Sequence, residues 1–142
     1  MYSNIGYGEI FLGALIVLAI MIIPAIFYLL TLQKALNRCS VENRTMTPGT
    51  VWLLLIPLFN IVWQFIVVIK ISESLHNEFV KRNIQAEPQP GKSLGLAFCI
   101  LGVCSIIPLI GFVASLAALI CWIMYWVKIS GYSNKLVQPV MA

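Results

Sequence analysis

The sequence predicts an all-α integral membrane protein: three transmembrane helices plus a re-entrant or strongly kinked hairpin at Pro57, four apolar segments packed as a small helical bundle. Composition, span length and charge placement predict it. Of 142 residues only 10% are charged and 61% are hydrophobic, with mean hydropathy +0.95. A soluble domain needs roughly a quarter of its residues charged to make a surface, so water is not the main solvent here. The whole chain reads as one membrane domain, residues 1–142.

The first span, residues 10–32, runs 23 residues without a charge. At the α-helical rise this is about 34 Å, more than the ~30 Å of hydrocarbon. No Lys or Arg precedes it and no small-residue cleavage site follows, so it reads as a retained helix and not a signal peptide. Pro24 in its middle removes one backbone hydrogen bond and predicts a kink.

The second apolar segment, residues 49–71, divides at Ile56-Pro57-Leu58-Phe59-Asn60. Thr47-Pro48 reads as a helix start, with threonine capping and proline in the first turn. Pro57 follows only nine residues later. If the segment crossed fully, the best topology would place six of the nine Lys and Arg residues on one side. If it turns at Pro57 and returns, all nine fall on the cytoplasmic side, which the positive-inside rule favours. Asn60 then supplies an amide for backbone groups freed at the break.

An amphipathic extension reaches residue 82. Gln64, Lys70, Ser74, Asn77, Glu78 and Lys81 share one arc, opposite Ile61, Phe65, Val68, Leu75 and Phe79. Its last turns are expected at the membrane surface or in the cytoplasm. The linker, residues 83–92, contains Gln-Ala-Glu-Pro-Gln-Pro-Gly, whose prolines forbid helix.

Residues 93–129 are apolar for 37 positions, enough for two short crossings. Pro108 to Gly111 supplies the turn of a transmembrane hairpin with arms 93–107 and 111–129, followed by a tail, 130–142. Small residues recur at helical spacing on both arms: Gly91, Gly95, Cys99 and Gly102 on the first, Gly111, Ser115 and Ala118 on the second. Such faces let membrane helices approach closely, so they are the expected helix-packing residues. Ile56-Pro57-Leu58 and Val68-Ile69-Lys70-Ile71-Ser72 echo as Ile107-Pro108-Leu109 and Trp126-Val127-Lys128-Ile129-Ser130, a weak internal repeat. Trp52, Trp122, Tyr125 and Trp126 read as an interfacial belt on the cytoplasmic side, with Tyr2 and Tyr7 at the other face.

The chemistry expected is sparse. Cys39, Cys99, Cys104 and Cys121 lack metal-ligand spacing and read as packing residues. The single histidine, His76, sits on the helix extension, and the acidic residues lie outside the apolar core. No catalytic residues, metal or cofactor are expected, and the protein reads as non-enzymatic. Asn60, Gln64 and Lys70 are the intramembrane polar residues and carry the alternative reading, an oligomeric channel or transporter component. The net charge of +4 points to anionic lipids at the cytoplasmic face, not to nucleic acid.

Over residues 30–130, the run Asn43-Arg44-Thr45-Met46-Thr47-Pro48-Gly49, then Val51-Trp52 through Ile56-Pro57-Leu58-Phe59-Asn60, then Ser74-Leu75-His76-Asn77-Glu78-Phe79, resembles a family of small bacterial polytopic membrane proteins of unassigned activity. Its most specific part is Pro-Gly-x-Val-Trp leading into Ile-Pro-x-x-Asn. The resemblance implies a bacterial cytoplasmic (inner) membrane, multi-pass, and transfers no catalytic or ligand residue. Topology then puts the N-terminus outside and the C-terminus in the cytoplasm. The expected role is a small subunit, accessory or scaffold of a larger membrane complex, whose partners are other membrane proteins or further copies of itself.

Overall fold

The structure, a computed structural model, describes residues 6–137. These form four α-helices and one 3-10 helix: α1 (Tyr7–Arg38), the 3-10 helix (Pro48–Leu55), α2 (Pro57–Lys81), α3 (Lys92–Cys104) and α4 (Gly111–Lys135). Helices α1, α2 and α4 are each long and apolar enough to cross a membrane. Tyr2 and residues 138–142 of the expected tail lie outside the described residues.

Helix α1 continues through Pro24. The proline nevertheless marks a boundary: residues 7–23 are exposed all round, whereas Tyr28, Leu29, Leu32, Ala35 and Leu36 are buried. The lower half of α1 belongs to the bundle and the upper half stands clear of it.

The Pro57 break is present. Ile56 is extended (φ −80°, ψ 113°), as a residue preceding proline must be, so the 3-10 helix cannot run on into α2. Pro48 opens the 3-10 helix, but Thr47 does not cap it through its side chain. Its carbonyl instead accepts the Thr50 amide (3.0 Å) and hydroxyl (2.5 Å), the i to i+3 closure of a 3-10 turn.

The chain then folds back on itself. The Trp63 indole donates to the Thr50 carbonyl (2.9 Å), and the Thr45 hydroxyl donates to the Lys70 carbonyl (2.9 Å). Partners thus move apart in sequence as the distance from Ile56 grows, which is the pattern of a hairpin with unequal arms. The eight-residue 3-10 arm is about 16 Å long, and the 25-residue α2 about 37 Å.

Helices α3 and α4 are the most closely packed pair. Helix α3 stops at Cys104, three residues short of the expected arm, and α4 runs on to Lys135, well past residue 129. The Ser105 hydroxyl turns back to the Gly102 carbonyl (2.6 Å) and ends α3. A Cβ at Gly111 would lie 2.5 Å from the Ser105 carbonyl oxygen, so the return into α4 needs glycine. Gly91, with φ +70°, starts α3 against Tyr125 and Ile129.

Hydrogen bonds join the C-terminal ends of α1, α2 and α4, and the loop preceding α3 is tied to α4 there too. The segments carrying all nine Lys and Arg residues gather at this end, and the two hairpin tips lie at the other. The core occupies the basic half: Leu32, Leu36, Val51, Val68, Ile71, Leu75, Tyr125 and Ile129 are each at most 1% exposed. Tyr125 is therefore core and not part of a lipid-facing belt. Trp122 and Trp126 pack around Tyr28 instead, at ring separations of 5.3 and 6.1 Å.

Candidate functional site

Two constellations hold the polar chemistry. The first is a buried knot at the basic end. Helix α1 closes at Arg38, and its last carbonyls have no partner within the helix. Arg44, on the following turn, donates to the Cys39 carbonyl (2.9 Å) and the Asn37 carbonyl (3.0 Å). Arg82 donates to the Arg38 carbonyl (3.3 Å) and to the Leu136 carbonyl beyond α4 (2.8 Å). Arg38 reaches the Ser133 hydroxyl (2.9 Å) and the Asn134 side-chain oxygen (3.2 Å). Three arginines thus tie together the ends of three helices.

Glu78 is the counter-charge. Its side chain is 1% exposed and receives four hydrogen bonds. The Ser40 amide (2.8 Å) and Asn43 amide (2.7 Å) reach Oε2; the Ser40 hydroxyl (3.1 Å) and Arg82 Nε (2.6 Å) reach Oε1. Beside it Ser74 accepts from the Thr45 amide (3.0 Å) and donates to the Lys70 carbonyl (2.8 Å). The polar arc of α2 therefore turns inward at Ser74 and Glu78, against residues 39–45. With both carboxylate oxygens doubly engaged, the knot fixes geometry and leaves no free lone pair directed at a substrate.

The neighbouring Cys39 thiol is pushed up to about 12, by burial first and then by the Glu78 carboxylate. In the linker, Glu87 clips the chain to α4: it accepts from Lys128 Nζ (2.7 Å), the Gly91 amide (3.0 Å) and the Tyr132 hydroxyl. The Lys128 hydrogen bond, followed by that of Tyr132, holds its carboxyl down at about 2.

The second constellation is a cavity of about 520 Å³ in the half of the bundle nearer the hairpin tips. All five helical elements line it, among them Tyr28 from α1, Asn60 and Gln64 from α2, Phe98 and Gly102 from α3, and Trp122 from α4. Gln64 Nε2 donates to the Tyr28 hydroxyl oxygen (3.0 Å). No hydrogen bond engages the Asn60 amide side chain among the described residues.

Asn60 and Gln64, expected as intramembrane polar residues, meet in this cavity. Lys70 does not line it: its ammonium pairs with Glu73 (3.2 Å) at a partly exposed position. The expected packing residues separate in the same region. Gly95 sits at a true close approach, since a Cβ there would lie 2.5 Å from Val68 Cγ1 and 2.8 Å from Tyr125 Cε2. Cys99 is buried, whereas Gly102 has open space beside it. On α4, Gly111 and Ala114 are buried, Ala118 is half-buried and Ser115 is exposed with its hydroxyl on the Gly111 carbonyl (2.7 Å). Of the turn residues, Pro57 opens α2, Pro108 lies in the α3–α4 turn and Gly111 opens α4.

Glu78, Arg82, Arg38, Arg44 and Tyr28 were not legible as a group. The only local signals are the i,i+4 pair Glu78 and Arg82, and the polar Ser40 to Arg44 turn after an apolar helix. Among the described residues no three His, Cys, Asp or Glu side chains cluster as metal ligands, and the four cysteines are free. No family model, curated protein sequence or solved structure matches the chain.

Proposed function

We propose that this chain is a non-enzymatic subunit, accessory or scaffold of a larger bacterial inner-membrane assembly, with the upper half of α1 as its docking element. One observation carries the reading: residues 7–23 of a membrane-length helix pack against nothing in their own chain, while the opposite end is tied down by a saturated polar knot. A lone bundle would gain van der Waals contact by laying that half against α3 and α4. Leaving it free suits a helix that a neighbour covers.

In the same reading residues 49–71 form a re-entrant hairpin. The 3-10 arm, at about 16 Å, is shorter than the ~30 Å hydrocarbon core, which supports entry and exit on one side. The gathered Lys and Arg residues support a cytoplasmic location of that end, facing anionic lipids. The inner membrane of a bacterium rests on the Pro-Gly-x-Val-Trp and Ile-Pro-x-x-Asn resemblance.

Single cysteines at Phe11, Leu15 and Leu18, in a background with the four native cysteines replaced, provide the test. A bifunctional thiol crosslinker applied to native membranes is expected to give one discrete adduct, to a second membrane protein or to another copy, from this helix and not from Val127 on α4. A ladder of unspecific adducts, or none at any of the three positions, overturns the reading. The channel alternative draws on Asn60 and Gln64 sharing one cavity. It requires that reconstituted vesicles lose flux when both are replaced by leucine.

A further inference from the structure

We propose that the cavity between the helices binds one elongated apolar molecule bearing a carbonyl oxygen, with that oxygen accepting from the Tyr28 hydroxyl and the Asn60 amide. Its volume, about 520 Å³, falls inside the range of roughly 300–1,000 Å³ typical of small-molecule sites. No charged residue lines it and most of its lining is apolar, which favours a neutral ligand with an apolar body and a small polar part.

The polar point follows from the hydrogen-bond inventory. A phenol has one proton to donate and lone pairs to accept. Tyr28 is 4% exposed and accepts from Gln64, but its own proton meets no acceptor among the described residues. Asn60, a turn before Gln64, lines the same cavity with its amide unengaged. Both groups have a donor to offer, and Gln64 has already committed one to Tyr28. The amide oxygens of Asn60 and Gln64 are free to accept as well, but the most deeply buried of these groups, the Tyr28 hydroxyl, has a proton with no acceptor among the described residues. Buried donors are almost always satisfied, so the Tyr28 hydroxyl marks a position that a ligand oxygen would complete, with the half-buried Asn60 amide as a second donor beside it.

The walls select the rest of the molecule. Phe98, Trp122 and Leu119 supply flat and branched apolar surface, and the open space at Gly102 leaves room along α3. A neighbouring side chain, Tyr125, stands against Tyr28 and Phe98 with a fully buried hydroxyl that has no partner. The Tyr28 hydroxyl, flanked by Asn60 and Gln64, is the polar point of the lining, and the apolar body would extend away from it. Within a bilayer two sources supply a carbonyl on a long apolar chain: an ester-linked acyl lipid and an isoprenoid quinone. The site is independent of what docks on α1, so either proposal can fail without the other.

Trp122 in the lining provides the reporter. Purified protein in nanodiscs of unbrominated phosphatidylcholine is titrated with dibrominated-acyl phosphatidylcholine in one arm and decyl-benzoquinone in the other, both quenchers of indole fluorescence. Saturable quenching is expected in one arm, identifying the source. Tyr28→Phe, which keeps the ring and deletes the donor, should weaken it about tenfold, and Gly102→Phe, which fills the open space, should abolish the saturable component. Unfolding midpoints establish that each variant is folded; if Gly102→Phe is not, Tyr28→Phe and Asn60→Leu decide alone. Non-saturable quenching in both arms, or saturable quenching unchanged in the folded variants, overturns the proposal and leaves a cavity occupied by water or bulk lipid.

Discussion

Replacing Glu78 tests whether the polar knot holds the basic end together. In Glu78→Ala the Ser40 amide and hydroxyl, the Asn43 amide and Arg82 Nε all lose their acceptor at once. Removing one member of a buried ion pair costs about 3–5 kcal/mol, because the remaining charge is left desolvated. Arg82 softens this: its side chain is 22% exposed and keeps the Arg38 and Leu136 carbonyls. The expected loss is therefore near the lower bound, about 3 kcal/mol, or roughly 10 °C in unfolding midpoint for a chain of this size. Glu78→Met, which keeps most of the volume, should lose nearly as much. Glu78→Gln, which keeps one acceptor oxygen, should lose about half. Thermal unfolding in mild detergent, followed by reaction of a maleimide dye with Cys39, reads the effect directly, since Cys39 packs beside the knot. A double variant, Glu78→Met with Arg82→Met, should show a coupling above about 1 kcal/mol. If Glu78→Ala unfolds within ~0.5 kcal/mol of the parent, the knot is not what joins the helices.

Gly95→Ala should destabilise by about 1–2 kcal/mol, because the new methyl meets Val68 and Tyr125 below 3 Å and this exceeds the helix-propensity gain of alanine. Adding Val68→Ala should relieve the Val68 contact and leave that with Tyr125, so Gly95→Ala should cost less in the Val68→Ala background than alone, which denaturant titration of the single and double variants measures. Glu87 has a lowered folded pKa, so its contribution is complete above the usual glutamate value near ~4.3 and fades as pH falls toward about 2. With both partners one-third exposed, screening limits it to at most about 1 kcal/mol. Glu87→Gln should therefore lower the unfolding midpoint at pH 7, and the difference should shrink steadily between pH 5 and pH 2. Cys39, as the sole remaining cysteine, should react with N-ethylmaleimide at pH 8 about 10³-fold more slowly than a free thiol, because so little thiolate is present; a rate within tenfold of glutathione would contradict its burial.

The sequence made the local rules legible and hid the distant partners. Hydropathy marks the spans, and Pro57 with its extended Ile56 marks the fold-back, because each depends on neighbouring residues alone. Glu78 was hidden for the opposite reason. On α2 it falls in the polar arc, and a periodicity argument assigns such an arc to solvent. Its partners Ser40 and Asn43 lie 38 and 35 residues away, and only the return of the chain after α1 brings them to it. Tyr125 misled in the same manner: aromatic residues next to Lys128 suggest a membrane belt, yet the glycines at 91 and 95 open a space that this ring fills together with Val68 and Ile129. The small-residue faces were legible as patterns, but not in extent. Gly91, Gly95 and Cys99 are buried, and the face gives out at Gly102, where the helices part around the cavity.

That parting and the knot have one physical origin. At the basic end, helix termini carry unpaired carbonyls that Arg44 and Arg82 satisfy, while Arg38 bonds side chains of α4 and Glu78 accepts from Arg82 and the turn after α1, which draws α1, α2 and α4 together. At the other end the tips are apolar and uncharged, so no equivalent set of charged hydrogen bonds joins them among the described residues. The bundle is consequently tied by polar contacts at one end and parts around the cavity nearer the other. Tyr28 sits where the two regimes meet: its ring is clamped by Trp122, Tyr125 and Trp126, while its hydroxyl lines the open cavity. A ligand or a neighbouring helix entering from the open end would first encounter a firmly positioned polar group at this residue. Substitutions that loosen the knot should therefore lower stability, whereas Tyr28→Phe, which keeps the packed ring, and Asn60→Leu should change what the open end holds and leave the fold in place.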